Sequence, residues 1–198
     1  LIREDILEFG RLQEVRSMRL LLELLRSRVG SPLSYTSIAQ DLQIAPNTVR
    51  RYIDILESLC IVFTVRPFHT NVARAILKEP KLYFYDSGFV LGGEGRKLEN
   101  TCAVCLFKQD IDGEDIELNY IKTKEGKEVD FSLSKKGKAP HLIEVKASDD
   151  SASASLNMIA KKLPGAVALQ LVQNLRQEKR KDNISIVSAG KWLAQLSA

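Results

Sequence analysis

Residues 126–148 read GKEVDFSLSKKGKAPHLIEVKAS. Two segments, Glu128–Ser134 and His141–Ala147, alternate apolar with other side chains, and KKGKAP between them (residues 135–140) combines charge, glycine and proline. That pattern predicts two strands joined by a basic turn. Asp130 lies among Val129, Phe131 and Leu133, while Glu144 and Lys146 are two apart and therefore point to one face of the second strand. If the strands pair as a hairpin, Asp130 comes near Glu144, and two carboxylates and one ammonium gather beside a sheet. Such a group is costly next to apolar neighbours without a compensating partner. A divalent metal ion would supply it: Mg²⁺ takes oxygen ligands, often one or two carboxylates plus substrate phosphate, and a nearby Lys orients a water or offsets charge on phosphorus. The same residues also fit an ordinary hairpin with a surface Asp and a Glu–Lys pair.

Outward from the hairpin, a helix is expected from Lys97, carrying Glu99 and Asn100 and then the apolar Cys102, Val104, Cys105 and Leu106. Asp110–Glu117 is acidic and contains Gly113, which predicts a solvated loop. Glu117–Thr123 reads as the first strand of the sheet. After the hairpin come a helix over about Ala154–Leu163, stopped by Pro164-Gly165, strands over Ala166–Val172 and Ile184–Val187, and a final helix over Lys191–Leu196. The order of helix, three strands, helix and strand predicts an α/β (α+β) layer with a small mixed sheet.

The N-terminal part has a different character. Ten of the twelve basic residues before position 93 are Arg and fourteen of the seventeen after it are Lys, a change of type that accompanies the glycine-rich stretch GFVLGGEG (88–95). We read that stretch as a boundary between domains at residues 1–90 and 96–198. Leu12–Arg28 is an amphipathic helix with apolar Leu12, Val15, Leu21, Leu22, Leu24 and Leu25, stopped by Gly30-Ser31-Pro32. Residues 1–11 read as the tail of a preceding element. Ser34 caps a short helix, Gln43-Ile44-Ala45 forms a tight turn, and Pro46 opens a second helix reaching about Leu59. Val49, Ile53, Leu56 and Leu59 line one face of that helix. Asn47, Thr48, Arg50 and Arg51 lie near its start and are open to base edges and phosphates, as in a helix-turn-helix. Strands at Ile61–Phe68 and Lys81–Tyr85, with Asn71–Lys78 as a wing or short helix between them, complete a winged helix. The same topology serves as a protein-docking or packing module.

Several function classes are disfavoured by what the chain holds. At 198 residues with 44% hydrophobic content the protein can bury real cores. Its apolar runs are too short to span a bilayer and the N-terminus has no secretory pattern, so the expected location is cytoplasmic and no membrane partner is expected. The three cysteines leave an odd number, and Cys102-Ala-Val-Cys105 sits in an apolar run at helical spacing, which favours core packing over zinc or redox chemistry. No G-x-x-x-x-G-K-[ST] loop is present, so ATP binding and hydrolysis are not expected of this chain, and no G-x-S-x-G marks a serine hydrolase.

The quoted motifs resemble two known groups. The first is the PD-(D/E)xK restriction-endonuclease-like fold, whose core order is helix, three strands, helix, strand. By that resemblance Asp130 is the Asp, Glu144 and Lys146 are the E-x-K, and Glu99 is the acidic residue of the first helix. Metal ligands would be Asp130, Glu144 and Glu99, with the Val145 carbonyl as a further donor, and Lys146 would orient the attacking water. The second resemblance runs over TSIAQDLQIAPNTVRRYIDILESLCIV, PKLYFYDSGF, LEN, EVDF and IEVKAS. In this order they look like the C-terminal region that follows the ATP-binding module in a large group of prokaryotic AAA-type ATPases, a region itself described as a domain of unknown function. The chain departs from that pattern at Leu98, where Phe often precedes the Glu-Asn pair. The resemblance implies that an ATP-binding module precedes Leu1.

Together these readings lead to a metal-dependent DNA phosphodiesterase using magnesium (Mg²⁺) or Mn²⁺, with Asp130, Glu144, Lys146 and Glu99 as its catalytic group and Asn47, Thr48, Arg50 and Arg51 contacting DNA. The alternative is a non-catalytic module whose winged helix binds DNA or a partner, and whose nuclease-like part forms a homo-oligomer or docks the ATPase module.

Overall fold

The computed structural model describes residues 2–68, 78–112, 115–148 and 151–196. Helix α1 (Ile2–Arg26) takes in the segment that the sequence left as a preceding tail. Its C-terminal half delivers apolar side chains to the core: Leu21 and Leu25 are buried, while Leu12 and Val15 stay exposed. Helix α2 (Tyr35–Leu42) begins where the Ser34 hydroxyl accepts a hydrogen bond from the Ser37 amide, and it ends at Gln43, which takes the left-handed conformation at φ 54°. Pro46 opens α3 (Pro46–Ser58), whose Val49, Tyr52, Ile53 and Leu56 are buried. Leu59 does not extend that buried face. The helix ends before it, Cys60 reverses the chain at φ 52°, and Leu59 is left 63% exposed.

Strands β1 (Val62–Pro67) and β2 (Lys81–Phe84) pair antiparallel with Val62 opposite Phe84. Most of the expected wing, residues 71–77, lies outside the described residues. A 3-10 turn at Ser87–Phe89 leads into α4 (Glu94–Asp112), which starts earlier and ends later than the sequence predicts. Asp110 is therefore helical rather than in a loop, and its carboxylate accepts from the Leu118 amide. The glycine-rich stretch is fastened along its length: the Arg26 side chain donates to the Phe89 carbonyl, and the Arg96 side chain donates to the Ser27 and Leu91 carbonyls.

Strands β3 (Ile116–Lys122), β4 (Glu128–Lys135), β5 (His141–Lys146), β6 (Val167–Val172), β7 (Lys179–Lys181) and β8 (Ile184–Ser188) complete the sheet. Helix α5 (Ala154–Lys162) lies between β5 and β6 in the chain, and α6 (Ala189–Leu196) follows β8. The α+β expectation holds, but the sheet is larger than expected. Its order is β2-β1-β3-β4-β5-β6-β8-β7, because β1 runs parallel to β3 with Arg66 opposite Asn119. The hairpin β4–β5 forms as the sequence indicates, with Phe131 opposite Ile143.

Two cores cover the two faces. Phe131, Ile143, Val145, Leu169 and Leu171 pack in one core with Cys102, Ala103 and Leu106 of α4 and with the helix-turn-helix. Val129, Leu142, Ala168, Val172 and Ile186 pack in the other with Leu156 and Ile159 of α5. Cys102 is fully buried, and burial first, then neighbouring charges, push its thiol up to about 12. That is an inert packing cysteine. No helix among the described residues is long and apolar enough to cross a membrane.

Candidate functional site

An acidic centre forms where β2, α4 and β4 meet. Between Asn119 and Ile121 of β3, opposite Ser132 and Val129, strand β4 carries one extra residue. This β-bulge holds Asp130 and Phe131 and re-aims the Asp130 side chain. The β4–β5 ladder stops at Phe131–Ile143, and the Val145 amide donates to Asp130 Oδ2 at 2.9 Å instead. Asp130 thus reaches the strand that carries the E-x-K motif.

The centre is completed by a residue the sequence did not single out. Lys81 is 1% exposed. Its Nζ lies 2.6 Å from Glu128 Oε1, 3.5 Å from Glu99 Oε1 and 3.7 Å from Asp130 Oδ1, and 5.3 Å from the Tyr120 ring centroid. The buried Tyr83 hydroxyl donates to Glu99 Oε1 at 2.9 Å. Burial pulls the Lys81 ammonium down, but the charges of Glu99, Asp130 and Glu128 and the Glu128 hydrogen bond more than offset it, leaving the group above its ordinary value. The Glu99 carboxyl is pushed up to about 7, first by burial and then by the charge of Asp130, against the pull of Lys81. Gly30 closes the centre from the side of α1. At φ +75° it fits the left-handed region, and a Cβ there would lie 2.6 Å from Glu99 Oε1.

Glu144 and Lys146 do form a pair, with Nζ 2.8 Å from Oε1. Strand alternation puts them on the face of Leu142, toward α5, while Ile143 and Val145 face α4. Glu144 Oε2 is buried with no hydrogen-bond partner among the described residues, and burial, then the charge of Asp130, raise its carboxyl above the ordinary range. Of the expected site residues, the structure therefore brings Glu99 and Asp130 to Lys81 and pairs Glu144 with Lys146. Asp130 is the electrostatic link between the two groups.

These contacts bear on the expected metal. Among the described residues no group of three His, Cys, Asp or Glu side chains is placed to hold one ion. Of the expected ligands, Glu99 is engaged by Tyr83 and Lys81 and one oxygen of Asp130 by a backbone amide, while Glu144 Oε2 has no hydrogen-bond partner among the described residues. With the Lys81 ammonium among them, Glu99, Glu128 and Asp130 do not fit a three-carboxylate metal centre. Neither Lys81 nor Glu128 stood out in the sequence, because Lys81 belongs to a different part of the chain. The one available signal was a lysine inside the apolar strand KLYF.

At the helix-turn-helix, Asn47 is exposed and Thr48 half-buried at the start of α3. Arg51 is ion-paired to Glu14 of α1 at 2.9 Å, and the Arg50 guanidinium lies 4.8 Å from the Tyr35 ring centroid. Beside Arg51, a groove of about 520 Å³ runs between α1 and α3, lined by Val15, Met18, Leu22, Ile55 and Leu59.

Comparison with known families matches residues 1–94 to the domain of unknown function DUF8612 and residues 94–192 to the domain of unknown function DUF4143. Two curated relatives are the uncharacterized proteins Mb2031c of Mycobacterium bovis and Rv2008c of Mycobacterium tuberculosis, each 27% identical over 89 residues. The match covers 45% of this chain and 20% of either relative, so the chain spans about a fifth of their length. No solved structure matches it. With half of its residues matched, the chain belongs to the DUF4143 family, domains of unknown function typically found with AAA ATPases.

Proposed function

We propose that this chain is the C-terminal docking part of an AAA-type ATPase and holds the ATP-binding module against the groove between α1 and α3. The observation that carries this reading is the groove itself. Val15 is 67%, Ile55 41% and Leu59 63% exposed, and they lie together rather than singly. A contiguous exposed apolar surface marks a protein contact. A DNA-reading helix would instead present free cations, and here Arg51 already has a carboxylate partner while Asp54 and Glu57 share the pocket of Arg50. The ATP-binding module is the partner that the family's association with AAA ATPases supplies.

The test is association in solution between this chain and the parent's ATP-binding module. Ile55→Glu with Leu59→Glu should abolish it, because two charges would then enter an apolar contact. Unchanged association, together with duplex binding that Arg50→Ala and Arg51→Ala weaken, would replace docking with DNA contact.

A second reading, a DNA phosphodiesterase dependent on Mg²⁺ or Mn²⁺, draws on the orphaned Glu144 Oε2 beside half-exposed Lys146. Plasmid nicking that requires either ion and disappears in Asp130→Asn would support it. Intact plasmid with both ions removes it.

A further inference from the structure

We propose that Lys81 is a built-in cation: its ammonium occupies the acidic centre in place of a divalent metal ion and ties the two family-matched parts of the chain together. Lys81 comes from the part matched to DUF8612, whereas Glu99, Glu128 and Asp130 come from the part matched to DUF4143. The inference does not depend on the docking reading.

Three carboxylates gathered around one buried point repel one another, and a single cation among them removes that repulsion. The ammonium suits the role by both position and burial: it is 1% exposed, and the shortest contact, to Glu128, is a charge-assisted hydrogen bond at 2.6 Å. Its Nζ lies 5.3 Å from the ring centroid of Tyr120, and the Tyr120 hydroxyl donates to the Glu79 carbonyl just before β2.

Position in the sheet explains why the cation also acts as a joint. Among the described residues strand β2 pairs with β1, and β1 pairs with β3 at two positions, Arg66–Asn119 and Pro67–Tyr120. Two ladder positions are a short seam. The Lys81 ion pairs cross the same seam from β2 to β4 and α4, and Asn100 of α4 crosses it as well by bonding both the amide and the carbonyl of Phe84. The centre is therefore complete only when the helix-turn-helix hairpin is seated on the sheet.

The experiment compares the thermal unfolding of the wild type and Lys81→Met, in EDTA and in millimolar Mn²⁺ at matched ionic strength, with bound Mn²⁺ counted by electron paramagnetic resonance. The wild type should show no Mn²⁺-dependent shift in Tm and no stoichiometric Mn²⁺. Lys81→Met should melt lower by roughly 5 °C or more in both solutions, because the three carboxylates are left without their cation. Stoichiometric Mn²⁺ on the wild type, or a variant that loses no stability, would overturn the proposal. If Lys81→Met does not fold, the wild-type titration alone decides: bound Mn²⁺ overturns the proposal and its absence supports it.

Discussion

Replacing Glu99 with Gln removes a carboxyl that folding moves into the neutral pH range. Burial and then the Asp130 charge raise this group from 4.5 to about 7, while Lys81 and the hydrogen bonds from Tyr83 and Lys81 oppose the change. The folded protein therefore keeps a proton on Glu99 that the unfolded chain releases at lower pH. In the window from about 4.5 to about 7 the native state binds more protons, so stability is fully present below the window and is lost as pH rises through it. Each unit of displacement corresponds to about 1.4 kcal/mol, which puts the loss at up to about 3 kcal/mol between acid and mildly alkaline pH. Gln has nearly the volume of protonated Glu and never ionises. Urea unfolding of both proteins at intervals across this range should find similar stability at the acid end. At the alkaline end Glu99→Gln should be the more stable by up to about 3 kcal/mol. Glu144 shifts in the same direction but is present in both chains, so most of its contribution drops out of the difference. A difference that stays constant with pH, or that grows in favour of the wild type toward alkaline pH, would refute the reasoning.

Three further outcomes follow from the same contacts. Asn100→Ala should cost about 3 kcal/mol by chemical denaturation, because it leaves the buried amide and carbonyl of Phe84 without partners; a cost below about 1 kcal/mol would mean that water replaces the side chain. Gly30→Ala should destabilise by at least about 1 kcal/mol, since the position has φ +75° and its new Cβ would press on a carboxylate held by Tyr83 and Lys81; the unfolding midpoint measures it, and an unchanged midpoint would show that Glu99 moves freely. Arg51→Ala should leave stability almost unchanged, because both it and Glu14 are mostly exposed. A larger loss in thermal unfolding would show that this pair fixes the angle between α1 and α3.

Local chemistry was enough to read most elements from the sequence. Ser34, Gln43 and Pro46 set the boundaries of α2 and α3 through capping, a left-handed turn and a fixed φ, none of which needs a distant residue. Period-two alternation and the KKGKAP turn placed β4 and β5, and the hairpin brings Asp130 toward the Glu144 strand as that pattern requires. What local pattern could not supply was the contact between distant segments. The pairing of β1 with β3 unites the β1–β2 hairpin with the larger sheet, and no short-range periodicity encodes which parallel neighbour a strand will take. The β4 bulge turns on one extra residue against β3, which becomes visible only once the register is known. Lys81 shows the difference most sharply. In the sequence it is a lysine opening a four-residue strand, and Asp130, Glu144 and Glu99 look like acids in need of a metal. Only the tertiary structure brings an ammonium from another segment among Glu99, Glu128 and Asp130, a contact that no local pattern encodes.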